Sequence, residues 1–357
     1  MKLAEIVGHH RAVGLLSAAL TRGHLPHALL LAGPDGVGKN TLARALAAAV
    51  VCETRSADAC GACSACRRVE HGSHPDFLVI SREPRRESAS AADDDRDDDG
   101  AGELKSWIVV DQIRELAAHV GYPPRESRAR VVLIDPADRM NDEAQNALLK
   151  TLEEPASSTV LVLTATRPHS LLATVRSRCM EIVLRPMAAA DLAAWLTASG
   201  MDEAEAAARA ALAAGRPGRA RQMDVAALRE RRSGTLDALL ALAESPKPLA
   251  ELPDLALRLT GDDVESFESG LDLLASLLRD AAIVGTSSGR PALIHADVAP
   301  LVERLGARLG AARAAALVEG VEEVRSRLRF HANRTLLAEV LLAAVAGGPI
   351  PQRRPDL

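Results

Sequence analysis

Continuous apolar runs alternate with helix-patterned segments over the first half of the chain. The runs HALLLA, HPDFLVI, ARVVLIDPAD and STVLVLTATRP begin at residues 27, 74, 129 and 158. Runs of this kind are typical of strands that are buried on both faces of a parallel sheet. Because helical patterns lie between them, the sequence predicts an α/β domain with a doubly wound parallel sheet.

Helical periodicity marks the segments between these runs. Residues 4–22 place apolar side chains at helical spacing, and TLARALAAAVVC, residues 41–52, follows the first run. Asp111 is a candidate cap for the next helix. Asn141 is a candidate cap for the helix DEAQNALLKTLEE, which Pro155 stops.

From about residue 187 the strand pattern ends. The segments AAADLAAWLTASG, DEAEAAARAALAAG and GRARQMDVAALRERR predict three short helices. Longer helices rich in Leu, Ala and Val follow, with breaks near ESPKP and TSSGRP. The chain is therefore expected to end in an all-helical part.

The composition narrows the classes of function. The chain has 357 residues, of which 48% are hydrophobic and 2% aromatic. Since about 150 residues form a typical domain, this length favours two or three domains. Proteins that hold single strands by base stacking need several exposed rings, and three Phe, two Trp and one Tyr disfavour that mode.

The negative charge is concentrated in one segment. The formal net charge is −5, and DDDRDDD, residues 93–99, contributes six negative charges and one positive charge. The remainder is close to neutral and offers no global basic field for nucleic acid. Low hydrophobicity and dense charge predict a disordered, solvated loop over residues 82–104, inserted in the first domain.

No targeting or membrane segment is predicted. The start MKLAEIVGHH lacks the apolar core of a secretion signal, and no run of about 18 apolar residues occurs. These features predict a cytoplasmic protein without membrane contact. In a reducing compartment, clustered cysteines favour a metal site over disulfides.

A cluster of cysteines has the spacing C-x7-C-x2-C-x2-C. Its members are Cys52, Cys60, Cys63 and Cys66. Two C-x-x-C turns present sulfurs at the bite of one tetrahedral zinc ion, and four thiolates leave no open position for catalysis. The sequence predicts a structural Zn²⁺ site in a module over residues 52–70. Two alternatives stay open: His71 or His74 replaces Cys52 as the fourth ligand, or no metal binds.

The first apolar run leads into a candidate phosphate-binding loop. Residues 33–40, GPDGVGKN, have the form G-x-x-x-x-G-K, and the strand and helix that flank them supply the context that this motif requires. The candidate nucleotide-binding residues are Gly33, Gly36, Gly38, Lys39, Asn40 and Thr41, together with Asp135 and Thr166, which follow two later runs.

Two positions depart from a hydrolysing site. Asn40 stands where a Ser or Thr ligates magnesium, and Pro136 follows Asp135 where an acidic base is expected. Asn40 could lend a neutral oxygen to magnesium, or Thr41 could shift in, so binding of ATP or ADP with Mg²⁺ stays open. Fast hydrolysis is not expected, because removal of the base costs about 10² to 10⁴ in rate.

Four motifs occur in order along the chain: the phosphate-binding loop, the cysteine cluster, NALLKTLEEP at residues 146–155 and SRC at residues 177–179. In this combination the chain resembles the AAA+ subunits of the bacterial DNA polymerase III clamp loader. The resemblance implies three parts: an AAA+ P-loop domain, a small helical lid and a helical collar. Their expected bounds are residues 1–185, 186–232 and 233–357.

Two kinds of subunit in that family share these motifs: the ATP-hydrolysing gamma/tau motor and a stator whose own site is degenerate. Because Asn40 and Pro136 replace a metal ligand and the base, the chain is similar to the stator. The resemblance implies a hetero-pentamer with gamma/tau and delta subunits that loads the sliding clamp onto primer-template DNA. An active gamma-type ATPase remains an alternative, as does a zinc-stabilised P-loop regulator, against which the last two motifs argue.

The resemblance also assigns roles to single residues. Arg178 of SRC would reach the nucleotide of a neighbouring subunit as an arginine finger, the alternative being an ion pair within the chain. Thr166 matches the position that senses the γ-phosphate, or it satisfies backbone at a strand end. The lid arginine of the family falls on Gly218, which puts a second sensor in doubt. Three arginines lie nearby: Arg216, Arg219 and Arg221.

Overall fold

The computed structural model describes residues 1–54, 57–83, 107–156, 158–244, 252–261, 264–286, 293–328 and 332–351. They form two compact units, Met1–Gln222 and Met223–Leu357. The predicted disordered loop lies outside the described residues from residue 84 onward. Among the helices of the described stretches, none has both the length and the apolar character needed to cross a bilayer.

A five-stranded parallel sheet forms the centre of the first unit, as the apolar runs predict. Its strands are β1 (Ala28–Ala32), β2 (Phe77–Ile80), β3 (Arg130–Ile134), β4 (Thr159–Ala165) and β5 (Met180–Val183). They lie in the order β2-β3-β4-β1-β5. Every residue of β1, β3 and β4 is buried, because helices cover both faces of the sheet.

Strand β5 is not among the runs predicted from the sequence. Only Ile182 of its four residues is buried, so no continuous apolar run marks it. It pairs with β1 alone and forms one edge of the sheet. Strand β1, which leads into the phosphate-binding loop, therefore lies inside the sheet.

The helices of the first unit pack on both faces of the sheet or follow it in the chain. They are α1 (His10–Thr21), α2 (Lys39–Val51), α3 (Ser64–Glu70), α4 (Val110–Val120), α5 (Asp142–Glu153), α6 (Ala173–Arg176), α7 (Ala189–Ala198), α8 (Glu203–Leu212) and α9 (Pro217–Gln222). Leu29 and Leu31 of β1 pack in one core with α1 to α3. Leu30 packs in the other core with α4 to α6, as the alternation of side chains along a strand requires.

One of the two predicted helix caps is confirmed. The side chain of Asn141 accepts a hydrogen bond from the backbone N–H of Ala144, at 2.9 Å, and begins α5. The cap predicted at Asp111 is wrong, because α4 begins at Val110 and its N-cap is Val109, two residues earlier. There the side chain of Gln112 accepts from the N–H of Val109, at 3.1 Å, and Asp111 lies in the first turn.

The described residues of the second unit are helical. Its helices are α10 (Val225–Glu244), α11 (Leu252–Thr260), α12 (Val264–Val284), α13 (Ala299–Leu309), α14 (Ala311–Arg327) and α15 (Arg334–Val345). The third predicted lid helix, GRARQMDVAALRERR, is α9 followed by the start of α10. The expected boundary between residues 232 and 233 falls within α10, whereas the compact units meet after Gln222.

Candidate functional site

The phosphate-binding loop joins the end of β1 to the start of α2, as its motif predicts. Gly36 and Gly38 have φ angles of 73° and 112°, in the left-handed region that favours glycine. Gly38 is the residue before α2 and sets the turn into that helix. The loop thus presents the amino terminus of α2 at the carboxyl end of the sheet, which is the usual position for phosphate.

Lys39 turns back into its own loop. Its Nζ donates to the carbonyl oxygens of Gly33, at 2.8 Å, and Pro34, at 3.0 Å, and to Oγ1 of Thr166, at 3.2 Å. The residue is only 7% exposed. Burial lowers the pKa of Lys39, although Asp35, Asp138 and Asp135 oppose this effect. The structure therefore brings Lys39 and Thr166 together at the loop.

Both polar atoms of the Asn40 side chain form hydrogen bonds within the protein. Its Nδ2 group donates to Oδ2 of Asp135, and its Oδ1 accepts from Nε of Arg44, at 2.7 Å. The other carboxylate oxygen of Asp135 accepts from Oγ1 of Thr164. Thr41 is exposed and makes none of these contacts. Asn40 and Asp135 are thus in contact, as expected for two residues of one site.

This donor set does not fit magnesium. A Mg²⁺ ion requires oxygen ligands in near-ideal octahedral geometry. The amide of Asn40 directs N–H at Asp135 and keeps its oxygen on the cationic Arg44. Arg44 lies one helical turn after Asn40, a spacing that the sequence displays, but the contact depends on side-chain direction and was missed. Thr164 was also missed, since it is an ordinary buried residue of β4.

The lid touches the loop through main-chain atoms. The backbone N–H of Gly218, in α9, donates to the carbonyl oxygen of Gly36, at 2.9 Å. A Cβ atom added at Gly218 would lie 3.0 Å from that oxygen, a tighter approach than most side chains make, so glycine suits this contact. Where the resemblance expects a lid arginine, the structure has a direct contact between lid and loop.

The three arginines beside Gly218 differ in surroundings. Arg216 donates from Nε to the carbonyl oxygen of Ala213, at 3.1 Å, and its charge contributes to the lowered pKa of Lys39. Arg221 is exposed and lies 5.1 Å from the ring centre of Trp195. Arg216 therefore has an electrostatic link to the loop.

The four predicted cysteines converge at the end of α2. The Sγ atoms of Cys52, Cys60, Cys63 and Cys66 all lie within 4.8 Å of one another. Zinc–sulfur bonds of about 2.3 Å in a tetrahedron place the sulfurs about 3.8 Å apart. Sγ of Cys60 and Sγ of Cys66 are 3.9 Å apart. The cluster can therefore bind one metal ion such as Zn²⁺.

Backbone amides donate hydrogen bonds to a sulfur of this cluster and favour its thiolate form. Sγ of Cys60 accepts from the N–H groups of Ala62, at 3.4 Å, and Cys63, at 3.3 Å, and these bonds lower the pKa of Cys60 to about 6. Donors of this kind stabilise thiolate, which is the form that binds metal. Burial raises the pKa of Cys66 to about 12, so that thiol needs the metal to lose its proton.

Both ring nitrogens of His74 contact residues outside the cysteine cluster. Its Nδ1 accepts from the backbone N–H of Asp76, at 3.0 Å, and its Nε2 lies 3.4 Å from Oγ of Ser127. Among the described residues, the group of candidate ligands at this site consists of the four cysteines, without His71 or His74. The geometry therefore favours the set that includes Cys52.

Asp76 of the HPDF segment holds a loop before β3. Its carboxylate accepts from the backbone N–H groups of Arg125, Glu126 and Ser127, at 2.6, 2.9 and 2.8 Å. Although burial alone would raise the pKa of Asp76, these bonds outweigh it, and the pKa lies below its ordinary value. Asp76 thus has a structural role, since it holds residues 125–127 in place.

Arg178 of the SRC segment follows α6 and precedes the edge strand β5. Its guanidinium makes an ion pair with Oε1 of Glu153, at 2.5 Å, and donates to the carbonyl oxygen of Thr174, at 2.8 Å. The ion pair within the chain that the sequence left open is therefore present. The side chain is nevertheless 35% exposed.

Similarity to known proteins covers both units. The family model described as "DNA polymerase III, delta subunit" matches residues 8–188, and "DNA polymerase III, delta subunit, C terminal" matches residues 228–346. DNA polymerase III subunit delta-prime of Pseudomonas aeruginosa is 33% identical over 92% of this chain and 94% of its own length. The chain belongs to the delta-prime family of DNA polymerase III. This membership confirms the resemblance drawn from the four motifs.

Other relatives agree with this family. The Escherichia coli delta-prime subunit is 30% identical over 91% of this chain and 89% of its own length. The Escherichia coli tau subunit is 35% identical over 52% of this chain and 25% of its own length. These two delta-prime relatives are therefore matched over about nine tenths of their length, whereas the tau subunit is matched over a quarter of its own.

Proposed function

We propose that this chain acts as the stator of a DNA polymerase III clamp loader. Its partners would be gamma/tau and delta subunits in a hetero-pentamer that loads the sliding clamp onto primer-template DNA in the cytoplasm. Two supports are the family itself and the similarity to tau and gamma subunits over half of the chain. The observation that favours stator over motor is the hydrogen bond between Asn40 and Asp135.

The proposal first concerns the chain's own nucleotide site. A motor needs a hydroxyl on magnesium and an acidic base, and here Asn40 is bonded to Asp135 and Arg44 while Pro136 takes the place of the base. Lys39 is engaged by the carbonyl oxygens of its own loop. We propose that this site does not hydrolyse ATP at a useful rate, with or without bound nucleotide.

Turnover by the isolated chain tests this part. We expect ATP hydrolysis with Mg²⁺ far below about 1 per second, the lower end of ordinary enzyme rates. The variant with Asn40→Thr and Pro136→Glu restores a hydroxyl and a carboxylate and serves as the comparison. Fast turnover by the native chain, unaltered by both substitutions, would instead identify a gamma-type ATPase with unusual metal ligands.

The second part of the proposal concerns Arg178. A guanidinium is always charged and offers a rigid fork to phosphate oxygens. Arg178 lies beside the sheet edge and is partly exposed, and in the stator role it would stabilise charge on the γ-phosphate of a neighbouring motor subunit. The chain would thus contribute to hydrolysis at a site that it does not contain.

Replacement of Arg178 tests this role in the assembled complex. Arg178→Ala is expected to leave assembly intact and to lower the ATPase of the complex, because one motor site loses its trans-acting cation. Trans-acting arginines of this type contribute about 10³ to 10⁵ at a single site. Arg22→Ala removes another exposed guanidinium of the same unit and should have no effect. An unchanged rate with Arg178→Ala in a fully assembled complex would rule out the finger.

A further inference from the structure

Glu153 forms an ion pair with the guanidinium of Arg178, the group that binds phosphate in the proposed function. Its Oε1 lies 2.5 Å from Nη2 of Arg178, and its side chain is 48% exposed. The second contact of Arg178, from Nη1 to the carbonyl oxygen of Thr174, lies within its own segment. A neighbouring γ-phosphate and Glu153 would therefore compete for the same cation.

The position of Glu153 in its helix is electrostatically unfavourable. It is the last residue of α5, and Glu154 follows it directly as the C-cap. The carboxyl end of a helix bears partial negative charge, so carboxylates there are destabilised unless a cation is close. Lys150 lies in the same last turn. The cation that forms an ion pair with Glu153 in the structure is Arg178.

This pair is suited to exchange. An ion pair between partly exposed side chains contributes little to stability, because water and salt screen it. A terminal phosphate offers more charge and several oxygens to the guanidinium fork. Breaking the contact with Glu153 is therefore a small cost beside the gain from phosphate.

We propose that Glu153 is a positioning residue that holds Arg178 until a neighbour's nucleotide displaces it. This inference rests on the finger role proposed for Arg178. In the unassembled subunit, Glu153 neutralises the guanidinium and limits its motion. On assembly, the triphosphate replaces Glu153 as the partner of Arg178, while the contact with the carbonyl oxygen of Thr174 keeps the side chain directed.

The test measures ATP hydrolysis by the assembled complex with Glu153→Gln in this chain. Loss of the competing charge should lower KM for ATP about threefold, the size expected from an exposed ion pair. The value of kcat should stay within about twofold, because the bond to phosphate in the transition state is unaltered. Glu153→Asp keeps the charge and should stay close to the native KM.

Glu154→Gln is the matched control. It removes the same charge from the same helix end, and Glu154 is exposed like Glu153. Equal effects of Glu153→Gln and Glu154→Gln would mean that only the helix end is relieved, and would overturn the proposal. So would a loss of kcat at constant KM, since competition predicts the opposite. If Arg178→Ala has no effect, the arginine-finger role itself is contradicted. If Arg178→Ala lowers the ATPase but Glu153→Gln leaves KM unchanged, the finger role stands and the role of Glu153 is contradicted.

Discussion

Asp76 shows how one buried carboxylate can determine the course of a loop. It is fully buried and accepts three backbone N–H groups from residues 125–127, directly before β3. Arg130, at the start of β3, lies 3.9 Å from it. The charge is thus compensated by amides and by a nearby guanidinium, as a buried ion requires.

We expect Asp76→Asn to destabilise the first unit by about 2 to 4 kcal/mol, because an amide cannot accept all three N–H groups and turns a donor toward them. Chemical denaturation of the full chain measures this. Asp111→Asn is the control, since its side chain is 83% exposed. A loss no greater than that of the control would contradict the role of Asp76.

The same substitution changes the response to acid. The pKa of Asp76 in the folded chain lies below its ordinary value, so the carboxylate contributes stability at neutral pH. That contribution is lost as pH falls from the ordinary carboxyl pKa through the lowered one. The native chain should therefore lose more stability on acidification than Asp76→Asn, and parallel curves of unfolding free energy against pH would refute this.

The sequence predicted the proximity of site residues that directly follow parallel strands. It did not predict the contacts that side chains of other elements make with them. Lys39, Asp135 and Thr166 follow three parallel strands, whose carboxyl ends share one edge, so their proximity could be predicted. The contacts of Arg44 with Asn40 and of Glu153 with Arg178 depend on side-chain directions. No pattern in one sequence specifies those directions.

At the scale of elements, the cysteine cluster joins the end of α2 to the start of α3. Cys52 follows α2, and Cys63 precedes α3 and accepts from the N–H of Cys66, at 3.4 Å. A metal ion here would join two helix ends that also pack in the same apolar core. Binding energy at such a site adds directly to folding stability.

We expect one zinc ion per chain by elemental analysis. Cys60→Ser should lose the zinc and lower the unfolding temperature of the first unit, because a hydroxyl replaces one thiolate ligand. Cys179→Ser is the matched control, since Cys179 lies outside the cluster. A native chain that is free of zinc after purification and reconstitution with zinc salt would contradict the metal site.

Element boundaries were predicted where the chain has strong local signals. Asn141 and Pro155 bracket α5, and the buried runs bracket the interior strands. Strand β5 was missed because most of its side chains are exposed, so it has no continuous apolar run. The start of α4 was missed because it depends on a contact between the Gln112 side chain and the backbone of Val109, which no apolar period indicates. The break between α9 and α10 lies at Met223 and Asp224. The side chain of Asp224 accepts from the N–H groups of Ala226 and Ala227, a helix cap that the sequence analysis missed.

At the scale of the whole molecule, the two compact units have separate apolar cores. The second core is dominated by leucines of α10 to α15 and includes Phe267, which is fully buried. Arg232 is nearly buried there and makes a two-pronged ion pair with Asp297, at 2.7 and 2.6 Å. The longer helices rich in Leu, Ala and Val that the sequence predicts are consistent with this Leu-rich core, but no sequence pattern indicates the buried arginine.

The bond between Gly218 and Gly36 bears on how the first unit responds to the energy supply of the cell. It joins two backbones directly, without a ligand between them. Because no nucleotide takes part in this bond, we expect the distance between α9 and the phosphate-binding loop to be the same with ATP and with ADP. In the stator role proposed above, such a unit would serve as a fixed reference against which the other subunits move.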